Sequence, residues 1–218
     1  MKSPRPVRTH FDRQLLRLQR DILRMGALVE GSCLLARDAL FDRDLEASEK
    51  LVVHDKQVDY FYRQIELDCV NVLTLQAPVT QDLRQVSAFM QMVRDLERIG
   101  DYSKDIGEVA IKLFPYPVDP CMDRIRVMLD RCRSMVAMSL VALSNLDADV
   151  GLIIKEKDDA VDQDYEDLYN WLAHQRDVQG TVEPIVLMVL VIRYLERIAD
   201  HATNVGRRVA FIVTGERV

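Results

Sequence analysis

The sequence predicts an all-α protein built as two tandem, sequence-related three-helix bundles. Three observations predict it: apolar residues recur every three or four positions along most of the 218 residues, only 8 Gly and 7 Pro interrupt them, and the two halves repeat each other. With 49% hydrophobic residues the chain can bury one large core or two small ones, and 6% aromatic residues are too few for a sheet-rich sandwich.

The first helix runs from about Arg8 to Phe41, with Leu15, Leu18, Ile22, Met25, Val29 and Leu35 on one side. The second runs from about Asp44 to Leu75 and stops before Ala77-Pro78, because the residue before a proline is pushed out of the helical region. A third opens with Thr80 as N-cap and Asp82 favoured by the helix dipole in the first turn, and continues to Phe114. The stretch PYPVDP at 115–120 is the clearest linker and divides the chain nearly in half. Asp119-Pro120 then reads as N-cap and first-turn proline of a fourth helix that ends near Leu146. A fifth spans roughly Asp147 to His174, with Trp171 near its end, until QGTVEP breaks it. The sixth starts around Thr181, takes Pro184 in its first turn and reaches Thr214 before Gly215. The first bundle therefore covers 8–114 and the second 121–215, and helices of about thirty residues are roughly 45 Å long.

The halves are copies. A shift of 103 places Ile22 on Ile125, Met25 on Met128, Asp44 on Asp147, Asp55 on Asp158 and Val58-Asp59 on Val161-Asp162. A shift of 99 places Arg94 on Arg193, Leu96 to Ile99 on Leu195 to Ile198, and Asp101 on Asp200. The two shifts differ by about four residues, which fall in the loops around Pro78 and Gly180, where insertions are tolerated.

The copies write Leu-Glu-Arg-Ile-small-Asp twice, at Leu96–Asp101 and Leu195–Asp200. On a helix Glu97, Asp101 and Asp105 advance by about 40° per step, so their carboxylates share a face, as do the side chains of Glu196, Asp200 and Asn204. Carboxylates one turn apart repel by roughly 0.2–0.5 kcal/mol when exposed and by more when partly buried. One answer to that repulsion is local: Arg94 and Arg98 precede Glu97 and Asp101 by three residues, as Arg193 and Arg197 precede Glu196 and Asp200, which makes a salt-bridge ladder. The other is a cation. The acids continue apolar stripes of Val86, Met90 and Val93, and of Ile185, Val189 and Ile192, so partial enclosure is expected, and carboxylates a turn apart can bridge divalent or trivalent metals. The run Ile185–Ile192, apolar nearly all round, predicts a sixth helix buried on several sides. His201 points about 100° from Asp200 and reads as a supporting or partner-facing residue rather than a ligand. Asp59 and Asp162, with Asp55 and Asp158, form a repeated acidic pair on helices two and five and read first as exposed helix face.

Other chemistry is excluded or unsupported. A net charge of −6 argues against nucleic acid; Arg5, Arg8, Arg13, Arg17, Arg20 and Arg24 thicken the N-terminal region, but Arg17, Arg20 and Arg24 recur at helical spacing and read as a solvated helix face. Cys33, Cys69, Cys121 and Cys132 form no CxxC pair, so idle thiols in a reducing compartment are expected. The opening MKSPRPVRTH lacks the apolar stretch of a secretory signal, and Ile185–Ile192 is too short to cross a bilayer, which together point to the cytoplasm. No GxSxG, phosphate loop, HExxH or Glu-x-x-His pattern is present, so no enzyme is expected.

LERIGD at Leu96–Asp101, LERIADHATNV at Leu195–Val205, PVTQDLR at Pro78–Arg84 and the Val58-Asp59 and Val161-Asp162 pairs together resemble the PhoU family, over nearly the whole chain from Arg13 to Gly215. The resemblance implies metal clusters of iron or zinc type, with Glu97 and Asp101 as ligands in the first copy and Glu196 and Asp200 in the second. Asp105 stands where the family more often has Asn, as at Asn204. It further implies a cytoplasmic, non-enzymatic homodimer that negatively regulates phosphate uptake. Such a protein links a phosphate ABC transporter to a phosphate-sensing histidine kinase, and can associate peripherally with these membrane-bound partners. The alternative is a helical scaffold or adaptor whose acidic motifs form only salt bridges.

Overall fold

Local chemistry sets the helix ends, and it does so twice. The computed structural model describes residues 8–76, 78, 81–175 and 180–216. Among them are six α-helices and no strand: α1 (Arg8–Phe41), α2 (Leu45–Gln76), α3 (Gln81–Leu113), α4 (Met122–Asn145), α5 (Ala148–Ala173) and α6 (Glu183–Thr214). The carboxylate of Asp44 caps α2 by accepting from the Glu46 and Ala47 amides at 2.9 and 3.3 Å, and that of Asp147 caps α5 by accepting from Val150 at 3.1 Å. The residue before each cap, Arg43 or Leu146, has a positive φ of 55° or 50°. A side chain there costs roughly 1–2 kcal/mol, and it turns the chain out of one helix and into the next. The shift of 103 relates the two turns, so the duplication extends to backbone conformation.

The linker differs from expectation. Asp119-Pro120 does not open α4: the Asp119 side chain accepts from the Cys121 amide at 2.9 Å and its carbonyl from Met122 at 3.0 Å, so the pair forms a turn of its own. The helix starts at Met122, with Cys121 in the cap position and no side-chain cap. Pro184 does lie in the first turn of α6, and the helix itself starts at Glu183, two residues later than the expected Thr181. The Thr80 cap, the stop at Ala77 and residues 1–7 fall outside the described residues.

Helices α1, α2 and α3 pack pairwise, as do α4, α5 and α6, and the two sets meet where α3 lies on α6 and α1 on α4. The α3–α6 contact is the most extensive of all. A single hydrophobic cluster therefore runs through both bundles, with Phe89, Met92, Leu96 and Ile99 of α3 joined to Val191, Ile192, Leu195 and Ile198 of α6. As expected, α6 is buried on several sides from Ile185 to Ile192, packed on α3, α4 and α5, while Val186 and Leu190 on its remaining side are exposed. Among the described residues no helix is long and apolar enough to cross a membrane.

Helices α5 and α6 cross backbone to backbone. A Cβ on Gly206 would lie 2.5 Å from the Gly151 carbonyl oxygen, and the converse holds for Gly151. In the first copy Ser48 and Gly107 occupy the equivalent places, and the Ser48 hydroxyl donates to the Gly107 carbonyl at 3.4 Å. The small residue of the doubled motif is less constrained, since a Cβ on Gly100 would meet Val58 at an ordinary 3.4 Å and its counterpart is Ala199. In urea denaturation Gly206→Ala is expected to lose about 1–3 kcal/mol through overpacking. Gly100→Ala is expected to hold or gain stability, by up to about 1 kcal/mol of helix propensity.

Candidate functional site

The doubled acids form two faces, and α2 and α5 complete them. Glu97 and Asp101 sit on α3, half-buried, with 20% and 29% of their side chains exposed. Burial raises the Glu97 carboxyl above its ordinary range, as do Asp101 and Asp59, against the lowering effect of Arg98. Asp101 is raised by burial and then, Arg98 opposing, by Asp55 and Asp59. Four carboxylates from two helices therefore share one field. In the second copy Glu196 is raised by burial, then by Asp200 and, among weaker causes, by Asp162; Asp162 is raised by burial, Asp158 and Asp200. Of the acids first read as exposed helix face, Asp55 and Asp59 act on the α3 acids and Asp162, itself exposed, acts on those of α6, while Asp158 is buried beside Asp162 and Lys155.

Cations of the chain itself offset part of this repulsion. Arg98 reaches Glu97 at 3.5 Å and Asp101 at 3.3 Å. Lys104 crosses to Asp55 at 2.8 Å, and Lys155 holds Asp158 at 3.0 Å. Arg193 donates to Glu196 at 2.8 Å, while Arg197 stands 3.8 Å from Glu196 and 3.9 Å from Asp200. Among the described residues Arg94 is in no ion pair, so there the predicted ladder is complete only in the second copy. In the second acid set Asp158 Oδ1 and Glu196 Oε2 are buried without a hydrogen bond, as is Asp95 Oδ2 outside the sets. Among the described residues no three His, Cys, Asp or Glu side chains gather closely enough to hold a metal ion. The donor set is nonetheless all carboxylate, which suits a hard cation better than zinc, whose usual sites draw on Cys and His.

The third positions of the two motifs go elsewhere. Asp105 is raised by burial, Glu108 and Asp101, and in turn raises Tyr194 of α6 after burial. Asn204, expected to extend the second acid face, instead donates to Asp95 Oδ1 of α3 at 3.4 Å. His201 also leaves Asp200 and donates from Nδ1 to Asp95 Oδ1 at 2.9 Å, and Arg208 Nε approaches Asp95 Oδ2 at 3.5 Å.

Asp95 is thus a buried carboxylate, 7% exposed, at the joint between the bundles. The shift of 99 relates Asp95 to Tyr194 and His201 to Tyr102. Where one side of the joint has an acid against an imidazole, the other has Tyr102 stacked on Tyr194, with ring centroids 5.8 Å apart. Tyr102 also stacks on His201 at 5.9 Å, so the two sides touch. The sequence reading missed Asp95, although its place on the apolar side of α3, three residues from Met92 and four from Ile99, marks it as an acid in a core position.

Known proteins share this sequence and fold. The PhoU domain family model matches residues 22–110 and again 125–209. A phosphate-specific transport system accessory protein PhoU homolog of Synechocystis is 55% identical over 97% of this chain and 95% of its own. The crystal structure of the phosphate transport system regulatory protein PhoU from Streptococcus pneumoniae superposes with a TM-score of 0.88 at 30% identity, covering 95% of this chain and 99% of that one. PhoU from Pseudomonas aeruginosa does so with a TM-score of 0.88 at 29% identity, over 94% of this chain and 100% of that one.

Two outcomes follow from the electrostatics. Glu97, Asp101, Asp105, Asp162 and Glu196 bind protons more readily folded than unfolded. In chelator their effect is to raise urea stability as pH falls from neutral through the raised folded values, and to level off below the ordinary values of about 4; Glu97→Gln should flatten this slope. Asp95→Ala strips a buried acid from three polar partners and should cost about 3 kcal/mol in the same assay.

Proposed function

Because the chain belongs to the PhoU family, we propose that it is an accessory regulator of phosphate transport. The observation that carries the proposal is the 55% identity to the Synechocystis accessory protein along 97% of the chain. Regulation is negative and proceeds by protein contact: a cytoplasmic homodimer docks on a phosphate ABC transporter and a phosphate-sensing histidine kinase when phosphate is plentiful. The protein itself catalyses no reaction. Deleting the gene tests this proposal. The expected result is that a phosphate-starvation reporter stays on in phosphate-rich medium, with Glu97 and Glu196 variants only partly restoring repression; an unaltered reporter would sink the role.

We further propose that the two acid faces hold multivalent cations, iron in preference to zinc. Glu97, Asp101, Asp55 and Asp59 would hold the first, with Asp105 at its margin, and Glu196, Asp200, Asp158 and Asp162 the second. A bound cation supplies the positive charge that offsets the mutual repulsion of each acid set. To bind, it displaces Arg98 from one set and Arg193 and Arg197 from the other, freeing guanidinium groups at the surface where partners dock. Support comes from the raised carboxyls and the two buried oxygens of the second set without hydrogen bonds. The ladders themselves favour the other reading, an adaptor whose acids serve only those arginines. Elemental analysis of protein purified without added metal separates the two. The cation reading expects bound iron that drops by about half in Glu97→Ala or Glu196→Ala and is lost in the double variant; metal-free protein would leave the adaptor.

A further inference from the structure

We propose that the outer face of α2 is the surface through which two copies of this chain pair, as an antiparallel α2–α2 contact. This inference rests on the pairing proposed above and names where it occurs. Helix α2 packs on α1 and α3 and on no other helix among the described residues, so its opposite face has no neighbour. On that face Val53, Tyr60, Leu67 and Val70 are 54%, 62%, 58% and 45% exposed. Together with Glu49, Lys56, Arg63 and Thr74 they follow one another at alternating steps of about four and three residues, the spacing of a two-helix seam.

The duplication provides an internal control. The shift of 103 puts Glu156, Gln163 and Asn170 of α5 at the places of Val53, Tyr60 and Leu67, all exposed on the same side of an equivalent bundle. A three-helix bundle of this design therefore needs no apolar residue there. Only Val70 has an apolar counterpart, the small Ala173, so the large apolar side chains of the ridge belong to the first copy.

A second copy fits the ridge because the ridge is self-complementary. Run antiparallel, with residue numbers of facing positions summing to about 123, the seam sets Val53 against Val70, Tyr60 against Arg63, the alkyl stem of Leu67 against that of Lys56, and Thr74 against Glu49. The two-fold axis repeats each layer, and no layer joins two like charges. Tyr60 against the Arg63 guanidinium is a cation–π pair, and Arg63 is free to make it because its present contact with Asp59, at 3.3 Å, is exposed. Glu49 to Thr74 spans about 37 Å and a helix is about 10 Å wide, so the footprint is on the order of 400 Å². A standard interface covers about 800 Å² per partner, which makes this a dimer that dissociates on dilution.

Sedimentation velocity on the full chain over a concentration series tests the proposal. The wild type should dimerise with a dissociation constant on the order of micromolar, and Tyr60→Glu with Leu67→Glu should weaken it at least about a hundredfold at unchanged helicity by circular dichroism. Gln163→Glu with Asn170→Glu, the α5 control, should leave it within about twofold. A dimer that survives the α2 change overturns this surface and leaves the pairing standing. A wild type still monomeric at about 100 micromolar overturns both, and the ridge then belongs to another protein's helix. The register has its own check, because the native cysteines are buried. Arg63→Cys lies near the axis and should cross-link to its mate under mild oxidation, whereas Val53→Cys, about 25 Å from its mate, should not; the reverse pattern overturns the register.

Discussion

The packing of α3 on α6 is the constraint on which the rest of this molecule depends. These are the helices that carry the doubled acidic motif, and each also forms one wall of its own bundle. Their contact makes one core of two. At its edge sits Asp95, an acid that would be costly to bury alone and is tolerable because His201, Asn204 and Arg208 converge on it from α6. Asp95 lies two residues before Glu97, and His201 directly follows Asp200. The joint that fixes the bundles therefore also fixes the distance and orientation between the two acid faces.

Duplication produced two bundles with the same plan and then separate uses. The helix caps Asp44 and Asp147 and the left-handed turns at Arg43 and Leu146 stayed alike because the backbone needs them. Positions freed from that need diverged. Asp95 faces His201 where Tyr194 faces Tyr102, Ser48 meets Gly107 where Gly151 meets Gly206, and the α2 ridge is apolar where α5 is polar. Each difference lies at a joint or on an outer face, while the acid sets themselves remain closely matched.

Much of this was legible in the sequence because its causes are local or repeated. Helix period acts within a few residues and recurs in the second copy, and Asp44 and Asp147, read from the sequence only as the starts of helices, prove to be their caps. The acid faces were half legible: Glu97 with Asp101 is a one-turn pair, whereas the approach of Asp55 and Asp59 requires knowing how α2 lies on α3. Asn204 was misjudged for the same reason, since its partner Asp95 is more than a hundred residues away and spacing within α6 cannot reveal it. The start of α4 was missed because a carboxylate in the place of Asp119 suits either a turn or a cap, and only the path of the linker selects the turn.

The central claim is that each acid set exchanges its arginines for a cation. Crystals grown with ferrous or ferric salt and measured on both sides of the iron absorption edge test it most directly. The claim predicts anomalous peaks between Glu97 and Asp101 and the Asp55 and Asp59 of α2, and between Glu196 and Asp200 and the Asp158 and Asp162 of α5, with Arg98 and Arg193 turned away. Arginines still seated on Glu97, Asp101 and Glu196, with no anomalous signal at either face, would contradict it.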